Sequence, residues 1–331
     1  MKLFQRVSLL AGVAFSLLMI ACGSSTPPIV FTSDRDGNLE IYAVRPDGGE
    51  QQNLTNSPQP EHSPRLSPNA RHVAFLADEG SDQSVEVIRI NGKDRTKVSE
   101  DGGNHEDVRW SPKNNRLAYV RSTASSSHVY VSHSDGSEKM LLTKIEAQHV
   151  GGWSPRGDSV VFGVKSGPHI GLYTRNPDGV NEFRLTDQTD FDAVWSPTGD
   201  KIAFVSLRDG DPEIYVMNSE GGKASRVTQS ASLEYDIDWA PGGRRIAFAS
   251  DRDGNSEIYV VTIGADNELE ELSRLTHNDV IDESPAWSPN GKKIAFVSHL
   301  DGDSELFVMD ANGDRQRRLT NNNDSDFAPS W

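Results

Sequence analysis

The sequence repeats itself about every forty-four residues. Trp-Ser-Pro occurs at Trp110-Ser111-Pro112, Trp153-Ser154-Pro155, Trp195-Ser196-Pro197 and Trp287-Ser288-Pro289. Trp239-Ala240-Pro241 and Leu66-Ser67-Pro68 are variants, and the chain ends on Trp331. Successive anchors lie 44, 43, 42, 44, 48 and 44 residues apart. That period suits one four-stranded propeller blade. Each repeat has the same grammar. Ser-Pro leads into a turn such as Asn290-Gly291, then a strand such as Ile202-Ala203-Phe204 or Ile294-Ala295-Phe296. A polar Asp-Gly loop follows, then a third strand such as Glu213-Ile214-Tyr215-Val216, then an outer strand ending in Leu-Thr, as at Leu185-Thr186. Proline presets the first turn angle and glycine tolerates positive φ at the reversal.

One such sheet cannot bury both its faces, so the repeats must close into a ring or stack. The anchor tryptophans are therefore expected between blades, as core and not as ligand-stacking groups. Residues 29–55 lack an opening strand, while residues 324–331 supply one and then stop. The two fragments make one blade, so the terminal segment is expected to pair with Ile29-Val30-Phe31 and leave no open edge. The expected fold is an all-β, seven-bladed propeller over residues 29–331, with six blades as the alternative if the weak repeat at 62–98 is distorted.

The first residues read as an address. Lys2 and Arg6 precede an apolar run from Val7 to Ile20, followed by Cys22, the only cysteine of the chain. The run is short for a membrane span and has the layout of a secretory signal. Met19-Ile20-Ala21-Cys22 resembles the lipobox of bacterial lipoproteins. The resemblance implies a signal peptide over 1–21, lipidation of Cys22 and a tether over 22–28. It also implies export and anchoring to the cell envelope, at the outer membrane facing the periplasm in a Gram-negative source. The formal charge is −16, and loss of Lys2 and Arg6 with the leader would bring it to −18. Such a surface repels phosphate backbones, which argues against nucleic acid as a partner. The chain is expected to be monomeric.

Residues 29–331 resemble the TolB-type propellers, relatives of WD repeats and of the prolyl oligopeptidase propeller. The resemblance rests on Trp-Ser-Pro-x-Gly, Ile-Ala-Phe, Leu-Thr and Ser-Asp-Arg-Asp-Gly-Asn-x-Glu-Ile-Tyr at 33–42 and 250–259. It implies an envelope protein that binds a protein or peptide at its propeller. The α/β domain that precedes the propeller in that family is not expected between Cys22 and Ile29. No Gly-x-Ser-x-Gly elbow or phosphate loop is present.

Two sets of residues on the opening strands are candidate ligands at the channel mouth. Five residues before each anchor stand Glu61, His105, Gln148, Asp190, Glu234, Asp282 and Asp326. Four before stand His62, Glu106, His149, Phe191, Tyr235, Glu283 and Phe327. A ring of carboxylates would attract a cationic segment. The primary expectation is thus a non-catalytic binding scaffold without a cofactor. The alternative is a metal-dependent carbohydrate lyase or hydrolase. His62, His105 and His149 fall on three consecutive repeats, which resembles the oligogalacturonate lyases and implies a divalent cation such as manganese or zinc. The Asp-Gly loops, such as Asp34-Arg35-Asp36-Gly37 and Asp251-Arg252-Asp253-Gly254, lack a full calcium-loop spacing and are expected to be turns.

Overall fold

The computed structural model describes residues 26–300 and 302–331. The signal-like segment, Cys22 and the first part of the tether lie outside the described residues. The described chain forms seven four-stranded antiparallel sheets, so the seven-bladed expectation holds and the six-bladed alternative falls. Blade 1 combines Asp326–Ser330 with Ile29–Ser33, Glu40–Val44 and Gln51–Asn53. Blades 2 to 7 follow in order, with innermost strands Glu61–Leu66, Asn104–Trp110, His149–Trp153, Asp190–Trp195, Glu234–Trp239 and Asp282–Trp287. The terminal strand pairs with the first as expected, Val30 opposite Ser330 and Ser33 opposite Asp326.

The apolar clusters explain why the sheets need one another. Seven clusters exist among the described residues, and each draws on two adjacent blades. Val30, Ile41, Ala43 and Leu54 of blade 1 meet Val73, Phe75, Ala77 and Ile88 of blade 2. The closing junction sets Ile29, Phe31, Tyr42 and Val44 against Ala295, Val297, Leu306 and Val308 of blade 7, with Phe327 and Trp331 packed on them. Each fully buried Phe or Ile contributes roughly 1.5–3 kcal/mol. Within most blades an aromatic pair spans the second and third strands: Phe162 and Tyr173 lie 5.5 Å apart, Phe248 and Tyr259 5.7 Å. In blade 2, Glu86 stands opposite Phe75, and the Arg95 guanidinium covers that ring at 5.3 Å.

The Leu-Thr motif has a structural cause. The Thr hydroxyl accepts the backbone N–H of the residue that follows the Glu of the third strand, as Thr228 does from Ile214 at 2.8 Å and Thr276 from Ile258 at 2.9 Å. It also donates to that buried Glu, as Thr228 does to Glu213 at 2.6 Å. The hydroxyl therefore satisfies a buried donor and a buried acceptor where the short outer strand ends.

The closing strand should matter more than its length suggests. Trp331 donates its indole N–H to the Pro27 carbonyl at 3.0 Å and packs on the closing cluster. Trp331→Ala is expected to lower stability by about 2–3 kcal/mol, below the range for a fully buried aromatic because the ring is half-buried. Urea unfolding followed by circular dichroism measures this. A change under about 0.5 kcal/mol would show that the terminal strand does not hold the ring.

Candidate binding channel

Every innermost strand starts at one end of the ring and finishes with its anchor residue at the other. A cavity of about 660 Å³ lies between these strands. Its wall includes Trp153, Trp195, Trp239, Trp287 and Trp331. The tryptophans thus have two roles where the sequence suggested one. Trp153, Trp239 and Trp287 are buried between blades, yet all five reach the cavity. Several indoles stitch neighbours together: Trp110 donates to the Arg65 carbonyl at 2.9 Å and Trp153 to that of Arg109 at 3.2 Å.

The acids expected at the channel mouth are not there. Glu61, Asp190, Glu234, Asp282 and Asp326 are buried and do not line the cavity. An arginine partners four of them. Arg35 reaches Asp326 at 2.7 Å, Arg95 reaches Glu61 at 2.8 Å, Arg208 reaches Asp190 at 2.9 Å and Arg252 reaches Glu234 at 2.7 Å. Arg35, Arg208 and Arg252 come from the polar loops after the second strands and stack on the Phe/Tyr pairs of their blades. Asp282 instead accepts from the Asn278 amide at 2.7 Å. The loop aspartates Asp36, Asp209 and Asp253 accept from the hydroxyls of Tyr42, Tyr215 and Tyr259, which supports the turn reading of these loops.

These buried acids fasten one blade to the next. In blades 1, 5, 6 and 7 the residue two after the Thr gives its backbone N–H to the buried Glu of its own blade and its side chain to the acid of the following blade. Ser230 donates to Glu213 at 2.6 Å and to Glu234 at 2.6 Å. Asn322 donates to Glu305 at 2.7 Å and to Asp326 at 2.8 Å. Ser57 and Asn278 repeat the pattern between Glu40 and Glu61 and between Glu257 and Asp282.

The side chains that do face the cavity lie one bulge further along. In most blades two residues of the innermost strand oppose one residue of its partner, as between His62 and Arg65 or between Tyr235 and Asp238. The bulged residue has left-handed backbone: Ser63, Asp107, Asp192, Asp236, Ser284 and Ala328 have φ between 50° and 55°. A bulge breaks the alternation of faces and re-aims the residues beyond it. Asp107, Asp192, Asp236 and Ser284 consequently line the cavity, with Arg65, Arg109 and Asp238 two residues nearer the tryptophans. Sequence reasoning counted five and four residues before the anchor and missed this set. The recurring signal was Asp three residues before Trp110, Trp195 and Trp239.

The three histidines separate. His105 is buried and donates Nδ1–H to the Gln83 carbonyl at 2.5 Å. His62 is half-buried, with Ser63 Oγ at 3.0 Å and the Gln83 amide at 3.1 Å. His149 alone lines the cavity: Nδ1–H donates to Asp107 at 2.5 Å, and Nε2 lies 3.8 Å from Asp192. Among the described residues, no group of three or more His, Cys, Asp or Glu side chains is placed to hold a metal ion. The residues present therefore do not fit the metal expected from the histidine spacing. Glu106 is exposed at the far rim, Glu283 faces His299 at 3.3 Å and Tyr235 donates to Ser256 at 2.7 Å; none lines the cavity.

Enclosure pulls the channel carboxylates apart in acidity. Burial would raise Asp107, but the His149 hydrogen bond and charge, with Arg109, hold it well below the usual range. Burial pushes Asp238 up to about 6 against the Trp287 N–H and the two arginines. Asp236 is also raised by its enclosure, although Ser284 donates to it at 3.0 Å.

Family comparison agrees with this architecture. The model of the PD40 repeat, the TolB beta propeller domain, matches residues 23–148, 107–238, 191–280 and 235–331. The chain belongs to the TolB β-propeller family. No curated protein gave a significant match. Among solved structures, TolB from Acinetobacter baumannii superposes with a TM-score of 0.64 at 18% identity, over 92% of this chain and 66% of that one. An oligogalacturonate lyase in complex with manganese gives 0.68 at 16% identity, over 85% of each chain. The β-propeller domain of the Trilobed protease from Pyrococcus furiosus gives 0.66 at 14% identity, over 89% of this chain and 92% of that one. At these identities the likeness is one of fold.

The arginine plugs can be tested. Arg252→Leu would leave Glu234 buried without its countercharge, a loss of about 3 kcal/mol at about pH 8. Burial already raises the Glu234 carboxyl, and loss of the arginine raises it further. An acid raised in the folded state costs stability where it is ionised, so the deficit should shrink as the pH falls towards about 5. Chemical unfolding at the two pH values measures it, and a pH-independent deficit would refute the ion-pair account.

Proposed function

We propose that this propeller is a non-catalytic binding scaffold of the cell envelope, held to the membrane through Cys22 and monomeric, whose channel takes a cationic segment of an envelope protein. One observation carries the binding reading. Asp107, Asp192, Asp236 and Asp238 converge on a single walled cavity in a chain of formal charge −16. Asp192 is the least committed, with His149 as its one close partner at 3.8 Å. Carboxylates in a concave low-dielectric wall focus their field and draw in positive charge. Tryptophan rings border the same cavity, and a lysine or arginine side chain is attracted to the face of such a ring. The family resemblance supports the envelope setting, and the lipobox-like Met19–Cys22 supports the anchor.

The lyase or hydrolase alternative depended on three imidazoles meeting around a metal. Their separate partners leave it without support from this chain's geometry.

The tryptophans at the cavity supply the readout. A lysine-containing tetrapeptide should change the intrinsic fluorescence saturably, and an otherwise identical glutamate peptide should not. Asp192→Asn with Asp236→Asn should weaken the lysine peptide by about tenfold or more, as expected for loss of about 1.4 kcal/mol. Equal binding of both peptides, or no effect of the double variant, would overturn the reading. Metabolic labelling with palmitate, lost in Cys22→Ser, tests the anchor.

A further inference from the structure

The acids leave half of the channel unexplained. Arg65 and Arg109 occupy equivalent places on adjacent innermost strands, each one residue before its anchor. Both line the cavity. Neither forms an ion pair among the described residues, in a protein where many other arginines do. The one hydrogen bond of the Arg65 guanidinium goes to its neighbour, the Pro64 carbonyl, at 3.1 Å. The stem of Arg109 lies beside Gly152, the corresponding residue of the next blade, where a Cβ would come within 3.9 Å of it. Two like charges are thus held side by side in an enclosed wall, and their repulsion adds to burial in depressing Arg65 to about 10. Asp107, Asp236 and Asp238 offset part of this charge from a distance, but neither guanidinium is hydrogen-bonded to a carboxylate among the described residues, so both keep donors for an anion.

The charges are layered along the axis. Asp107, Asp192 and Asp236 form one level, beside Nε2 of His149, which is buried without a hydrogen bond and lies 3.8 Å from Asp192. Arg65 and Arg109 form the next, two residues nearer the tryptophans, and Asp238 faces them there. Along the axis the two levels are two strand residues, about 6–7 Å, apart, and the width of the channel adds to this because Arg65 and Arg109 stand on blades 2 and 3 and Asp192 and Asp236 on blades 5 and 6. In an extended lysine six bonds, about 7–8 Å, separate the ammonium nitrogen from the α-carboxylate carbon, a reach of the size needed to join the two levels.

The geometry points to a zwitterionic ligand: a peptide whose C-terminal residue is lysine or arginine, its α-carboxylate on Arg65 and Arg109 and its side-chain cation at Asp192 and Asp236. A singly charged carboxylate suits the site better than a phosphate dianion, because Asp107 and Asp238 already place negative charge near both guanidiniums. This assignment rests on the cation-binding reading above and adds the anion subsite and the end of the partner that binds.

Four probes separate the two ideas: Ala-Ala-Ala-Lys with a free carboxylate, its C-terminal amide, Ala-Ala-Ala-Ala with a free carboxylate, and N-acetyl-lysine amide. Affinities are read from tryptophan fluorescence with the intact protein. The free lysine acid should bind at least tenfold more tightly than its amide. Arg65→Gln with Arg109→Gln should abolish that gap, with the cationic amide bound no more weakly than by the unaltered protein because two repelling charges are gone. The gap needs no variant to be seen, so it stands even if the double substitution disturbs folding. Equal affinity of acid and amide would overturn the anion subsite and leave the cation reading intact. Equal affinity of the lysine and alanine acids would remove the cation reading and uphold the guanidinium subsite. Binding of none of the four would overturn both.

Discussion

A four-stranded sheet with two apolar faces has nowhere to hide them alone, and everything else in this molecule follows from that constraint. Each face is covered by the next sheet, and each junction is a separate cluster of valines, isoleucines and aromatics. An open row would leave two apolar faces in water and the strand Ile29–Ser33 without its inner neighbour. Closure by the strand Asp326–Ser330 removes both, and Phe327 and Trp331 bring apolar surface to the one junction made by distant parts of the chain.

The apolar junctions leave polar groups behind, and their treatment separates the framework from the site. Glu213, Glu234, Glu257, Glu305 and Asp326 lie in the framework and are matched by arginines, hydroxyls and backbone N–H groups. A buried charge so matched specifies which strand lies beside which, because a shifted register would strand it. One oxygen of each of Glu234, Glu257, Glu305 and Asp326 still lacks a hydrogen bond, so the channel differs in its charge pairing and not in hydrogen bonding alone. Asp192, Nε2 of His149 and the two guanidiniums of Arg65 and Arg109 keep capacity for something outside the chain.

The architecture was legible because its signals are local and repeated. Pro and Gly at the turns, the alternating strands and the spacing of the anchors each report on a few neighbouring residues. The interrupted first repeat and the bare Trp331 told how the ring closes. The acidic column five residues before the anchor was equally visible, yet its role was not. Arg208 reaches Asp190 from eighteen residues away, and nothing in the spacing says that a loop arginine folds back under its own blade. Once it does, the carboxylate belongs to the interior. The histidines failed in a related way: equivalent places in the repeat gave His105 and His149 unrelated partners, since each lies between different neighbours.

The sequence alone determined the repeat period, the strand that closes the ring and the identity of the core, because hydrophobic period and turn chemistry are written residue by residue; the choice of seven blades over six came with the sheets themselves. Only the tertiary structure decided which side chains face the axis. That choice rests on a left-handed bulge in the innermost strands, as at Asp107, Asp192 and Asp236, which breaks the alternation any reading of a regular strand assumes. The residues so aimed meet partners on the next blade, where Asp107 accepts from His149 and Asp236 from Ser284, and no window of neighbouring residues contains those partners.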